Sequence, residues 1–239
     1  SFREDRMRVF PDIHRVDGVT CNVYLIDEPD GLTLIDAGLP GAWKRILAAI
    51  QAMGRSPRDV RHILITHQHL DHVGSLYQMA QATGAETWAH PIDTPAIEGR
   101  GPREIASGLP GIAMRLAILP RTRPNPITHQ VRGGSTIPVL MGEGGLQVVE
   151  TFGHTMGHIS FYLPGRKLLI AGDAVSSSRG HLVPPPSMFN TDTAMAHQSM
   201  RHLATLDIDA CLTGHGEPVL SDARALIEAG AGAPATSQV

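Results

Sequence analysis

Four potential metal donors fall within six positions of the chain, His67, His69, Asp71 and His72, in the stretch ITHQHLDHVGS. Imidazole nitrogens and carboxylate oxygens are the donors that zinc and its neighbours take. Four of them exceed what one tetrahedral ion draws from a short segment, so the pattern suggests two adjacent metals. The competing reading, for this segment alone, is a polar loop with solvated histidines. Three further candidates lie apart in sequence: His154 in TFGHTMGH, Asp173 in IAGDAV and His215 in LTGHGEP. Each follows an apolar run and sits beside glycine, which permits close approach of backbone to an ion. Together the seven read as a constellation and not as scattered polar residues.

Short strands and helices must bring these residues to one place. TCNVYLID (20–27) and LTLID (32–36) predict two strands joined by the turn EPDG. In GAWKRILAAIQAMG the residues Trp43, Ile46, Leu47, Ile50 and Met53 recur at helical spacing, and Gly54 marks the stop. HILIT (62–66) predicts a strand, so that His67 and His69 just past it would point to one side. DHVGSLYQMAQATG predicts one helix from Asp71 to Gly84, and ETWAH the next strand. LQVVETF, ISFYL, KLLIAG and DACLTG read as strands. TDTAMAHQSMRHLATLD, capped by Thr191 or Asp192, and SDARALIEAG read as helices. Between the two strand-rich halves, Gly99 to Thr136 is rich in Gly and Pro and carries six arginines against Glu104 alone. It reads as an insertion or lid at 99–136 within a single domain covering 1–239.

The bulk composition narrows the classes of function. A 42% hydrophobic and 18% charged chain of 239 residues is that of a globular protein, without an apolar run long enough to span a membrane. A net charge of −3 argues against a polyanion binder. Only Cys21 and Cys211 are present, neither in a CxxC pair, so a reduced cytoplasmic setting is expected, with a removed leader as the alternative. No nucleic-acid or membrane partner is expected.

The HxHxDH motif of His67, His69, Asp71 and His72, followed in order by His154, Asp173 and His215, resembles the metallo-β-lactamase superfamily of hydrolases, in particular its glyoxalase II and lactonase-like branch. The resemblance runs over roughly residues 7 to 230. It implies an α+β fold, a four-layer αββα sandwich of two mixed sheets packed face to face with helices outside. It implies that His67, His69 and His154 bind one metal, that Asp71, His72 and His215 bind the second, and that Asp173 bridges them. A carboxylate suits that bridging place because it has two oxygens, whereas a neutral imidazole has one lone pair to give. The cofactors implied are two Zn2+, with iron or manganese as alternatives. A hydroxide held between the ions would be the nucleophile. Asp71 is the residue expected to add a catalytic role, as orienter of the nucleophile and proton relay.

Other residues carry weaker readings. Asp36 is expected to support the site by accepting an N–H from a ligand histidine, and His158 to act behind the ligands instead of coordinating. Met188 and Phe189, with the loop 176–190, are expected in an apolar pocket wall. Arg115, Arg121 or Arg123 would recognise an anionic group on a small substrate.

The expected reaction is hydrolysis of a small-molecule carboxylic ester, lactone or thioester. Cysteine is not the residue at the bridging position, which disfavours a dedicated β-lactamase. Glyoxalase II enzymes add a C-terminal helical domain, and 24 residues follow His215, which disfavours a glutathione thioester. The tyrosine that lactonases place after the bridging aspartate is missing, since Tyr24, Tyr77 and Tyr162 all precede Asp173. The tRNA-processing nucleases need a basic arm, and outside the +5 stretch 99–136 the chain carries about −8. The alternatives are promiscuous β-lactam or phosphodiester and phosphotriester hydrolysis, an iron-dependent sulfur dioxygenase, and a metal-stabilised binding protein without turnover.

Overall fold

In the computed structural model, which describes residues 8–104 and 121–232, the chain forms two compact units, Ser1–Val131 and Arg132–Val239. Each is a mixed sheet with its own helices. Among the described residues no helix is long and apolar enough to cross a membrane.

The first unit carries a seven-stranded sheet in the order β1-β2-β3-β4-β5-β6-β7. Its strands are β1 (Arg8–Phe10), β2 (Ile13–Arg15), β3 (Tyr24–Glu28), β4 (Gly31–Ile35), β5 (Val60–Leu64), β6 (Glu86–Ala89) and β7 (His129–Gln130). The first four are antiparallel neighbours, and β4 through β7 run parallel. The expected hairpin is present: β3 and β4 pair from Tyr24↔Ile35 to Glu28↔Gly31, leaving Pro29 and Asp30 as a two-residue turn. Residues 20–23, expected in the first strand, lie outside it.

Helix α1 (Trp43–Ala52) buries Ile46, Ala49 and Ile50 in a cluster with Leu25, Leu32, Leu34, Ile63 and Ile65. The other face of the sheet is buried as well, at Ile13, Tyr24, Ile26, Ile35 and Leu64. Burial on both faces explains why these strands read as continuous apolar runs instead of alternating ones.

Two expectations need correction here. The strand expected at 62–66 spans Val60–Leu64, because a capped turn over Pro57–Asp59, with Ser56 and Asp59 closing on each other's backbone, delivers Val60 directly opposite Leu32. The helix expected from Asp71 to Gly84 is two helices, α2 (Leu70–Val73) and α3 (Leu76–Thr83). At the break Ser75 N donates to Gly38 O at 3.2 Å instead of to a carbonyl of its own helix, and Ser75 Oγ donates to Leu39 O at 2.6 Å while accepting from Trp43 N at 3.1 Å; Pro40 packs so close that a Cβ at Gly74 would lie 2.4 Å from its Cδ. A short helix α4 (Thr94–Ile97) follows β6.

The second unit holds β8 (Thr136–Ile137), β9 (Leu146–Glu150), β10 (Ile159–Leu163), β11 (Leu168–Gly172) and β14 (Ala210–Thr213), in the order β14-β11-β10-β9-β8. Only β11 and β14 are parallel in this sheet. Helices α5 (Thr193–Leu203) and α6 (Ala223–Gly232) cover one face, with Met200, Leu203 and Ile227 against Leu169, Ala171 and Cys211. Asp192 caps α5, accepting from Met195 N at 2.9 Å, an arrangement worth about 1 kcal/mol. Part of the loop expected at 176–190 is instead a hairpin of β12 (Ser176–Ser178) and β13 (His181–Val183), turned by Arg179 and Gly180 at φ 50 and 80.

The C-terminal end of the arginine-rich stretch enters the sheets, as β7 beside β6 and as β8 beside β9. Residues 105–120, including Arg115, lie outside the described residues.

Candidate metal centre

In the first unit β4 and β5 are parallel neighbours that end side by side at Ile35↔Leu64. Asp36 and the segment from Thr66 therefore leave the sheet at the same end, where parallel sheets place their sites. Asp36 adopts φ 60, a left-handed conformation that Asp tolerates better than most residues. Its carboxylate accepts from Thr66 N at 2.9 Å through Oδ1, and through Oδ2 from Thr66 Oγ1 and His72 Nδ1, both at 2.8 Å. With its proton given to Asp36, Thr66 Oγ1 accepts from His67 Nδ1 at 3.0 Å. One carboxylate thus sets the tautomer of two histidines, His72 directly and His67 through Thr66. Both carry the proton on Nδ1 and the lone pair on Nε2.

These rings stand together. The His67 ring centroid lies 4.1 Å from that of His72 and 4.7 Å from that of His69, and His72 Nε2 is 3.7 Å from Asp71 Oδ2. His67 lies three residues past β5, so strand alternation does not align it with His69, contrary to the sequence reading. Side chains tie the backbone instead. Gln68 donates to the buried Asp93 from N at 2.9 Å and from Nε2 at 3.2 Å, and Cys21 Sγ donates to Asp71 O at 2.7 Å.

In the second unit β11 and β14 end side by side at Gly172↔Thr213, and β10 runs antiparallel to β11. Asp173, His215 and the β9–β10 connection carrying His154 therefore meet at one end of the sheet. Asp173 Oδ2 lies 3.2 Å from His154 Nε2 and 3.4 Å from His215 Nε2. Two donors about 2.0–2.1 Å from one ion at the tetrahedral angle stand about 3.3 Å apart, so both spacings match an edge of a zinc coordination sphere. The donor set, imidazole with carboxylate, fits the same group of metals.

His154 Nδ1 is 3.0 Å from Asn190 Oδ1. The Asn190 amide donates to Pro185 O at 3.3 Å, which turns its oxygen toward His154 and puts the histidine proton on Nδ1. His158 is engaged at both nitrogens. Its Nε2 accepts from Asp173 N at 3.0 Å and its Nδ1 is 2.7 Å from Thr151 Oγ1. Thr151 Oγ1 is 3.0 Å from Ser160 Oγ, which donates to Ala171 O at 2.9 Å. Read back from that carbonyl, each proton has one place: Ser160 to Ala171, Thr151 to Ser160, His158 Nδ1 to Thr151, and Asp173 N to His158 Nε2.

The remaining candidates are placed differently. Arg121 is exposed, Arg123 lies 5.5 Å from the Tyr77 ring centroid, and Met188 and Phe189 belong to a short turn at Ser187–Phe189 with Met188 43% exposed. Thr66, Asp93, Thr151, Ser160 and Asn190 were not singled out by sequence. They are neutral or common polar types, and nothing local marks them; only Thr66 stands next to the HxHxDH motif, a position that draws notice.

Residues 16–215 match the Metallo-beta-lactamase superfamily. The chain is 28% identical over 230 residues to the protein named "Probable metallo-hydrolase YflN" of Bacillus subtilis (strain 168), covering 87% of this chain and 84% of the relative. It is 30% identical over 183 residues to a hydroxyacylglutathione hydrolase of Rhodobacter capsulatus, covering 75% of this chain but 54% of that enzyme, about half its length. Among solved structures, the Rm3 metallo-beta-lactamase superposes with a TM-score of 0.70 at 23% identity, covering 94% of this chain and 90% of that one. A metallo-beta-lactamase family protein from Thermus thermophilus gives 0.68 at 22%, covering 92% and 78%. These structures show the α+β fold of the superfamily. The chain belongs to the metallo-beta-lactamase superfamily, and it is a metal-dependent hydrolase.

Proposed function

We propose that the protein hydrolyses a small-molecule carboxylic ester, lactone or thioester with the help of two zinc ions. His67, His69 and His154 would hold the first, Asp71, His72 and His215 the second, and Asp173 both. The observation that carries the reading is Asp173 Oδ2 at 3.2 and 3.4 Å from two imidazole Nε2 atoms. The donor types at the seven positions, five imidazoles and two carboxylates, support it as well. The unbroken family match over 16–215 supports reading both units as one domain. Cys21 and Cys211 are buried thiols that are not joined in a disulfide, in keeping with a reducing compartment such as the cytoplasm.

When bound, such ions make a water-derived nucleophile available near neutral pH and polarise the carbonyl under attack. The protein's own groups do the rest. Asp36 and Asn190 hold His67, His72 and His154 as Nδ1–H tautomers, so that no rearrangement of protons precedes loading. Asp71, with its side chain 26% exposed, can reach solvent, orient the attacking water and take its proton. The backbone N–H of Asp173 is committed to His158, which holds the backbone from which its carboxylate projects.

The test is metal analysis of protein purified without added metal, followed by a panel of aryl esters, lactones, thioesters, phosphodiesters and a chromogenic cephalosporin. About two equivalents of zinc with turnover on the carbonyl substrates, lost on chelation and restored by zinc, is expected. Two equivalents of metal without turnover on any of them would overturn the reading. One iron with oxygen uptake on a persulfide would reassign the protein as an oxidoreductase.

A further inference from the structure

The arginine-rich stretch meets the first half of the metal centre at one residue that the sequence did not mark. Arg103 Nη1 donates to Gln68 O at 3.2 Å, and the next residue, Glu104, donates from its backbone N to Gln68 Oε1 at 3.0 Å. Gln68 sits between His67 and His69, and the carbonyl that Arg103 touches belongs to the peptide bond leading into His69. Asp93 holds the same Gln68 from its other side through N and Nε2. The guanidinium is therefore fixed against the segment that presents two of the proposed ligands.

What it lacks is an acid. Among the described residues no carboxylate lies within ion-pairing distance of Arg103, whereas Arg100 pairs with Glu98 and Arg55 with Asp27. Burial lowers its pKa, and no neighbouring acid offsets the effect. A half-buried guanidinium with five N–H donors, one of them used by a carbonyl, carries an uncompensated charge that an incoming anion would satisfy. Its planar fork matches a carboxylate with two parallel hydrogen bonds.

We propose that Arg103 is a specificity residue that binds a carboxylate on the substrate, so that the ester, lactone or thioester turned over is an anionic one. This rests on the hydrolase reading above. The acid group of the substrate docks on the Nη and Nε donors of Arg103 not used by Gln68, while its carbonyl lies over the neighbouring histidines. The +5 stretch in an otherwise acidic chain draws such a substrate in.

A matched pair of aryl esters tests it: the monoaryl ester of glutaric acid, which keeps a free carboxylate, and the same compound capped as its methyl ester. Arg103→Met should raise KM for the anionic ester about tenfold or more, with the capped ester changed less than about twofold. Arg103→Lys, which keeps a donor for Gln68 O, should fall between and confirm that the ligand segment is intact. Equal losses on both esters, or no loss on either, overturns the assignment. Calorimetric titration of glutarate into wild type and Arg103→Met, at equal metal content, reads the same contact without turnover. Weaker binding to the variant supports Arg103 even if neither ester is hydrolysed, an outcome that would count against the hydrolase reading alone, and equal binding overturns it.

Discussion

The backbone N–H of Asp173 donates to His158 Nε2 at 3.0 Å, so the residue proposed to span both metals is held from behind by a histidine whose two nitrogens are already committed. The two amide isosteres of histidine separate its two contacts. His158→Gln keeps an acceptor near the Nε2 position, while His158→Asn keeps a donor near Nδ1 for Thr151 and leaves Asp173 N without a partner. His158→Gln is expected to retain near wild-type metal affinity and His158→Asn to lose about ten- to a hundredfold, read by competition with a chromogenic chelator. Equal affinities in the two variants would remove His158 from any positioning role.

Asp36 governs His72 directly and His67 through Thr66. Asp36→Asn keeps a side chain that tolerates φ 60 but offers a single acceptor oxygen. It should lower metal affinity about tenfold with little change in the melting temperature of metal-free protein. Asp36→Ala should in addition destabilise that metal-free protein by about 1–2 kcal/mol, because Ala is strained in the left-handed backbone. Calorimetric scans with and without chelator distinguish the two effects.

A Cβ on residue 214 would stand 2.0 Å from Asp173 Oδ1. Gly214→Ala should therefore displace the carboxylate, with a lesser push on the Gly172 backbone, whose C and O lie 3.0 and 3.1 Å from that Cβ. The expected result is metal content below that of the wild type and a loss of kcat of about tenfold or more, with a circular dichroism spectrum unchanged. Full metal content in this variant would show that Asp173 can relax without consequence.

Burial pushes the Cys211 thiol up from 9.0 to about 12. The folded state keeps the proton that the unfolded chain releases, so stability is full below pH 9 and falls as pH rises toward 12. The slope is about 1.4 kcal/mol per pH unit while only the unfolded thiol is ionised. Cys211→Ala should be less stable at about pH 8 yet lose less stability between about pH 9 and 11, measured by urea titration at each pH. Parallel slopes would mean that the thiol is not what titrates.

The chemistry was legible in the sequence because His and Asp donors stand at the ends of strongly apolar runs, where types and spacing speak locally. The hairpin at Pro29–Asp30 and the helix Trp43–Ala52 were legible for the same reason. The break at Gly74 was not: helical periodicity passes through it, and the Ser75 amide is drawn off to Gly38 O, far back in the chain. The strand pair β12–β13 escaped because SSS and HLV lack an alternating apolar face, and its turn depends on a left-handed Arg179. Thr66, Asn190 and Arg103 are partners by tertiary placement alone. Each is a common residue whose importance comes from the atom it happens to face.

Between Thr66 and Asp71 the backbone is tied to side chains from Asp36, Asp93 and Cys21. The segment is a mould cast during folding and not a string gathered by the ion. Its amide protons should exchange slowly even in metal-free protein, and metal capture should proceed at the pace of diffusion and ligand exchange, leaving the rate of escape to determine how tightly the ions are kept.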